Sequence, residues 1–276
     1  MRAGKASFTA AAVSAARGIA GVDPLAGQLV DGALGALVRF AQRPAARAIV
    51  NAAALGLIDH AELRTRAIDA AVRDAVAAGA RQLVVLGAGL DARAWRMTEL
   101  ADVDVLEVDH ASTQTFKRER VATWSPRARS VRFAAIDFER DSLDDVLARA
   151  GHDATAPTIW VWEGVTPYIA RAATQATLAV VAQRSAPGSR LAVTYATPSA
   201  SAAGPAFVRV AKLGFRAIGE ELRGLISSDD MRDELVIAGL DVVADSGSGQ
   251  WAKRYGDGRR RLLLVDERLA VAERRR

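Results

Sequence analysis

The chain contains no cysteine among its 276 residues. That absence excludes a disulfide framework, a thiolate nucleophile and any zinc site built on cysteine ligands. Histidine is nearly as scarce: His60, His110 and His152 stand singly, at no spacing that suggests a metal site, so none is expected. No apolar run reaches the roughly 18 residues of a membrane span. The stretch after Arg2 and Lys5 is alanine-rich, but Ser7, Thr9 and Ser14 interrupt it and Arg17 ends it, so it is not read as a secretory leader. A cytoplasmic location is the expectation. Lysine is rare as well, limited to Lys5, Lys117, Lys212 and Lys253, and the net charge of +5 comes almost wholly from arginine. The arginines are not interleaved with aromatics as a nucleic-acid surface requires. Their two clusters, Arg259-Arg260-Arg261 and Arg274-Arg275-Arg276, read as solvated ends. Neither nucleic acid nor membrane is an expected partner, and the oligomeric state is not readable.

What is present is apolar mass, 50% of the residues, enough for a large core. The first 80 residues read as helices. Asp23-Pro24 has the form of an N-cap with proline at the first helical position, followed by Leu29, Val30, Ala33, Leu34, Leu37, Val38 and Ala41 at helical spacing. Ile68, Ala71, Val72, Ala75 and Val76 predict a second helix that Gly79 ends. From Gln82 the pattern alternates. Apolar runs at 83–86, 103–108, 130–136, 158–163 and 190–195 predict buried strands, with helices at 112–123, 141–150 and 171–185 between them. Strands of this kind separated by helices predict a parallel sheet covered on both faces, an α/β doubly wound fold. Residues 196–226 break the rhythm and read as a lid insertion. Ser227-Ser228-Asp229-Asp230 caps a further helix, and two last strands are expected near 240–245 and 260–266, joined by a glycine-rich loop from Gly247 to Gly258. The expectation is one domain: a helical cap over 1–80 and a seven-stranded core over 81–276.

The chemistry concentrates where the first strand meets a glycine turn and a helix. Gly87-Ala88-Gly89-Leu90-Asp91-Ala92 satisfies the dinucleotide fingerprint, and Asp109 follows Gly87 by 22 residues, the spacing of a carboxylate that accepts from ribose hydroxyls. NAD and S-adenosylmethionine both carry that ribose, so this pair leaves both open. A helix-capping role for Asp91 or Asp109 is the plainer alternative. Trp160 and Trp162 alternate onto one sheet face and read as core. His110 is either a general base or a loop histidine beside Asp109.

Several segments in order resemble the leucine carboxyl methyltransferase-like family of S-adenosylmethionine-dependent methyltransferases, and within it a bacterial O-methyltransferase branch. They are Ser7-Phe8-Thr9-Ala10, Asp23-Pro24-Leu25-Ala26, Arg64-Thr65-Arg66-Ala67-Ile68-Asp69 and Leu86 to Arg93. Glu107-Val108-Asp109-His110, Lys117, Asp137-Phe138, Pro157 to Val165, Ala186-Pro187-Gly188-Ser189 and Tyr195 complete the set. The likeness weakens after about residue 196. It implies a Rossmann-like class I methyltransferase fold with S-adenosyl-L-methionine as cofactor. By that resemblance Arg64 holds the cofactor's carboxylate, Gly87 and Gly89 let the backbone pass close to it, and Asp109 takes the ribose. Asp137 and Phe138 take the adenine, and Glu163 faces the sulfonium or the amino group.

The expected activity is methyl transfer to an oxygen, carboxylate or acidic hydroxyl, of a small molecule. Tyr168 and Tyr195 are the candidate substrate-lining residues, with Phe207 and Phe215 beside them. No catalytic base is assigned. A protein C-terminal carboxyl methyltransferase, an NAD(P)-dependent oxidoreductase and a non-catalytic binding protein are the alternatives.

Overall fold

The computed structural model describes residues 8–138, 140–198, 222–258, 261 and 267–275. Four helices come first: α1 (Phe8–Ala20), α2 (Gly32–Phe40), α3 (Pro44–Ala53) and α4 (Leu57–Ala77). The alternating part follows as β1 (Gln82–Leu86), α5 (Arg93–Arg96), β2 (Asp104–Asp109), α6 (Ala111–Val121), β3 (Ser130–Ala135), α7 (Leu143–Arg149), β4 (Thr158–Trp162), α8 (Arg171–Gln183) and β5 (Arg190–Ala196). It closes with α9 (Ser228–Ile237), β6 (Leu240–Gly247), α10 (Ser248–Tyr255) and β7 (Glu267–Arg274). The seven strands form one sheet in the order β3-β2-β1-β4-β5-β7-β6. The first five strands pair in parallel, and β7 runs antiparallel between β5 and β6. No described helix is long and apolar enough to cross a membrane.

Successive side chains of a strand point to opposite faces, and here both faces are apolar. Leu83, Val85, Val105, Ile159 and Val161 face the packing of α1 and α4. Val84, Leu86, Leu106, Val108, Trp160, Trp162, Leu191 and Val193 face α7, α8 and α9. Both tryptophans are fully buried on that second face, and Trp160 Nε1 donates to Ser185 Oγ at 2.9 Å. The backbone passes closely elsewhere. A Cβ on Gly18 of α1 would stand 2.6 Å from Gly27 Cα, so the first helix and the turn after it meet backbone to backbone.

Four expectations are corrected. Asp23-Pro24 starts no long helix: Asp23 Oδ1 accepts from Ala26 N at 3.0 Å and closes a single 3₁₀ turn at Ala26–Gln28, and α2 begins only at Gly32. The glycine-rich stretch from Gly247 to Gly258 is mostly helix, because Gln250 Oε1 accepts from Gly247 N at 2.8 Å and Trp251 is buried as its anchor. The last strand is Glu267–Arg274, beyond the expected 260–266, of which 262–266 lie outside the described residues. The arginine clusters are not simply solvated ends. Arg261 has a side chain only 3% exposed and pairs with Glu62 at 3.0 Å, while Arg274 closes β7. Of the expected lid, 199–221 lie outside the described residues, Phe207 and Phe215 with them. The chain re-emerges against the turn Thr166–Tyr168, where Arg223 N and Gly224 N donate to Pro167 O at 2.9 and 3.0 Å. A Cβ at Gly224 would collide with Thr166 O.

Trp160→Ala removes a fully buried indole, and is expected to lower the unfolding free energy by about 3–5 kcal/mol in a denaturant titration. His152 yields a pH effect. Its Nε2 sits 3.1 Å from Thr158 Oγ1 and its ring packs on Trp160. Burial, then the nearby Arg184, pushes its pKa from 6.5 down to about 4. The unfolded chain therefore takes up this proton first as the pH falls. The stability it contributes is present above pH 6.5 and is lost between 6.5 and 4, on the order of 2 kcal/mol. In His152→Gln, stability measured across that window is expected to decline less steeply than in the wild type.

Candidate functional site

At the carboxyl ends of β1, β2 and β4 the sheet meets its helical cap, the place where open α/β sheets bind ligands. The turn after β1 needs glycine twice, since Gly87 and Gly89 have φ of +65° and +51°. A Cβ on Gly87 would collide with Val165 Cγ2, and one on Gly89 would stand 3.4 Å from Ala10 Cβ. So α1 and the segment after β4 close directly over the turn. Asp109, the last residue of β2, points back into it. Its Oδ2 accepts from Gly89 N and its Oδ1 from His110 N at 2.5 Å. Burial raises the Asp109 pKa, and those two backbone donors with Lys117 work against the rise. Each carboxylate oxygen keeps a further lone pair for a ligand hydroxyl.

Beside this turn lies a network of buried charges. Glu163, one residue past β4, has a side chain only 6% exposed, and three guanidinium groups converge on it. Arg17 of α1 donates to Oε1, Arg64 Nε of α4 lies 2.9 Å from the same oxygen, and Arg93 Nη1 lies 3.1 Å from Oε2. Burial opposes ionisation of Glu163, but Arg17, Arg64 and Arg93 together hold the carboxyl well below the usual range. Arg93 is locked in turn by Asp91 and by Asp69 Oδ1 at 2.8 Å, and Arg96 grips Asp69 at 2.7 Å and Asp23 at 3.1 Å. Arg64 reaches outward to Glu267 Oε2 at 2.6 Å. Beneath the turn, buried Lys117 pairs with Glu107 at 2.5 Å and lies over the Trp95 ring. Burial pushes Glu107 up to about 7 in spite of that lysine.

The structure thus brings Arg64, Gly87, Gly89, Asp109 and Glu163 around one turn. Tyr168 belongs to the same edge, on the 3₁₀ turn Thr166–Tyr168 that follows β4 and Glu163. Asp137 and Phe138 follow the end of β3, whose Ala135 pairs with Asp109, so they lie one strand further along the same edge. Asp137 is partly exposed, and Phe138 packs on the second core. Tyr195 is placed differently. It is buried on the sheet face opposite α4, where its hydroxyl donates to Asp245 Oδ2 at 2.6 Å and accepts from Arg268 Nε at 3.1 Å. Burial, then Asp245, raises its pKa. His110 caps α6, with its Nδ1 accepting from Ser112 N at 3.2 Å.

Sequence reasoning missed Arg17, Arg93 and Glu267. Arg93 and its partner Asp69 both lie in segments that carry the family resemblance, and this was the signal available for them. Arg17 offered none, being one arginine among many.

The donor set fits a zwitterion attached to a ribose. Arg17 Nε and Arg93 Nη2 are buried without a hydrogen-bond partner, so the arginines keep unused N–H groups next to Glu163. A carboxylate suits such forks and an ammonium suits Glu163. Residues 4–182 match the family described as Leucine carboxyl methyltransferase. A protein of Saccharopolyspora erythraea, provisionally named an S-adenosyl-L-methionine-dependent methyltransferase, is 35% identical over 197 residues, 69% of this chain and 64% of that protein. One of Mycobacteroides abscessus, provisionally named likewise, is 43% identical over 132 residues, 47% of this chain and 43% of that protein. The chain therefore spans between about two fifths and two thirds of the length of these curated relatives. Two crystal structures share its fold at 17% identity: a DUF574 family protein of Streptomyces avermitilis (TM-score 0.62, 98% of each chain) and a methyltransferase, so named provisionally, of Thermobifida fusca (TM-score 0.64, 99% of this chain and 96% of that one). With residues 4–182 accounted for in this way, the chain belongs to the leucine carboxyl methyltransferase family.

Proposed function

We propose that the protein is an S-adenosyl-L-methionine-dependent O-methyltransferase acting on a carboxylate or acidic hydroxyl of a small molecule in the cytoplasm. One observation carries the reading: Glu163 and Arg64 stand side by side at the carboxyl edge, next to a carboxylate, Asp109, that holds the glycine turn. This is a receptor for an amino acid joined to a nucleoside. A pyrophosphate suits it poorly, because the Gly89 N–H is already taken by Asp109 and Asp91 lies on the same turn.

Arg64 would take the cofactor's carboxylate, Glu163 its ammonium, Asp109 the ribose diol, and Asp137 with Phe138 the adenine. Bound there, the cofactor supplies a sulfonium methyl group that is already electrophilic. The chain's part is alignment and exclusion of water: α1 and Val165 close over the turn, and Tyr168 on the turn after β4 is the residue that would orient an acceptor. Alignment of reacting groups alone is worth effective molarities of about 10⁵ M or more. An acceptor carboxylate, with an ordinary pKa of about 4, is ionised at neutral pH and needs no base. The family description names a leucine carboxyl group, and the second acceptor we consider is the C-terminal carboxylate of a protein. Transfer of labelled methyl to a small-molecule extract, and not to protein, is the expected result; label on protein alone would replace the first acceptor with the second.

Two further outcomes are expected. S-adenosylmethionine or S-adenosylhomocysteine at about a hundred times its dissociation constant should raise the melting temperature by about 5 °C or more, while NAD and NADP leave it unchanged. The reverse pattern would sink the methyltransferase reading. Asp109→Asn should weaken S-adenosylhomocysteine binding about 10- to 100-fold in calorimetry, since a charged acceptor of ribose hydroxyls is lost.

A further inference from the structure

β7 runs antiparallel to β5, so its first residue, Glu267, sits opposite Ala196 at the carboxyl edge of the parallel strands. A residue late in the chain is thereby delivered to the site. The Glu267 side chain is buried, and its Oε2 accepts from Arg64 Nη1 at 2.6 Å and lies 2.8 Å from His60 Nε2. His60 is itself held. Its Nδ1 lies 3.3 Å from the hydroxyl of Ser248 at the start of α10, and its ring packs against Trp251 at 5.9 Å. Burial opposes the ionisation of Glu267, but Arg64 and then His60 bring its pKa down to about 2.

Glu163 cannot direct Arg64 alone, because it also serves Arg17 and Arg93. Glu163 Oε1 lies 2.9 Å from Arg64 Nε as an ion pair without a hydrogen bond, whereas Glu267 Oε2 accepts a hydrogen bond from Nη1 at 2.6 Å. The hydrogen bond to Glu267 is the directional contact that orients the planar guanidinium, while Glu163 attracts it by charge. Arg64 Nε is buried without a hydrogen-bond partner, and it is the N–H that a ligand carboxylate can take. We propose that Glu267, buttressed by His60, is a positioning residue that sets the orientation of Arg64 towards the carboxylate of the bound cofactor. This rests on the cofactor reading above and adds a residue to it.

The test compares two ligands by titration calorimetry. S-adenosylhomocysteine carries the amino-acid end, whereas 5′-methylthioadenosine has the same adenosine and a thioether without it. Glu267→Ala should weaken S-adenosylhomocysteine about tenfold or more and leave methylthioadenosine within about twofold. Glu267→Gln, whose amide oxygen can still accept from Arg64 and His60, should stay within about threefold of wild type for both ligands. Melting curves without ligand establish that each variant is folded. If Glu267→Ala does not fold, His60→Asn removes the buttress instead and should show the same ligand-selective loss, about threefold or more. Equal weakening of both ligands means a merely structural role and overturns the proposal, as does unchanged or tighter S-adenosylhomocysteine binding. Wild-type protein that binds neither ligand would overturn the cofactor reading and this one with it.

Discussion

A carboxylate taken out of water must be paired, and Glu163 is paired by arginines from three separate parts of the chain. Arg17 comes from α1, Arg64 from α4 and Arg93 from the helix after the glycine turn. Removing one partner of such a buried pair costs about 3–5 kcal/mol, because the other charge is left stranded. The helical cap is therefore tied to the sheet by charge as well as by its apolar face. The network runs on through Asp91, Asp69, Arg96 and Asp23, so the 3₁₀ turn between the first two helices is joined to it too. At its other end Glu267 joins β7. The groups proposed to meet a ligand are among those that hold cap and core together.

The alternation of strands and helices was legible because it is local. Each apolar run such as Leu83–Leu86 or Ile159–Trp162 declares a strand by itself, and the glycines after β1 declare a turn. The expected seven-stranded doubly wound sheet and its helical prefix follow from such local signals. What was illegible depends on distance in sequence. Glu267 meets Arg64 across 203 positions, and nothing around residue 267 marks it as belonging to a site. The apolar run before it, 262–265, on which a strand was expected, lies outside the described residues. Arg261 was read as part of a solvated cluster leading into an apolar run, yet it is paired with carboxylates of α4 and its side chain is buried. The glycines between Gly247 and Gly258 suggested a loop where a capped turn and a buried tryptophan make a helix.

The same charges narrow the chemistry. The strand–glycine–helix run by itself is compatible with any nucleoside-bearing cofactor. Asp109 on the Gly89 amide and Asp91 on the same turn make that amide a poor seat for phosphate, while Arg64 and Glu163 offer one charge of each sign at the same edge. The close approach of α1 to Gly89 covers the turn from the side of the helical cap. Tyr195, held by Asp245 and Arg268 on the far face of the sheet, contributes to the coupling of β5, β6 and β7.

The most direct test is a crystal structure with S-adenosylhomocysteine bound. The account predicts the amino-acid end of the ligand between Arg64 and Glu163, its ribose on Asp109 and its adenine beside Asp137 and Phe138. A ligand whose amino-acid end lies away from Glu163, or a dinucleotide whose pyrophosphate occupies the Gly87–Gly89 turn, would contradict it.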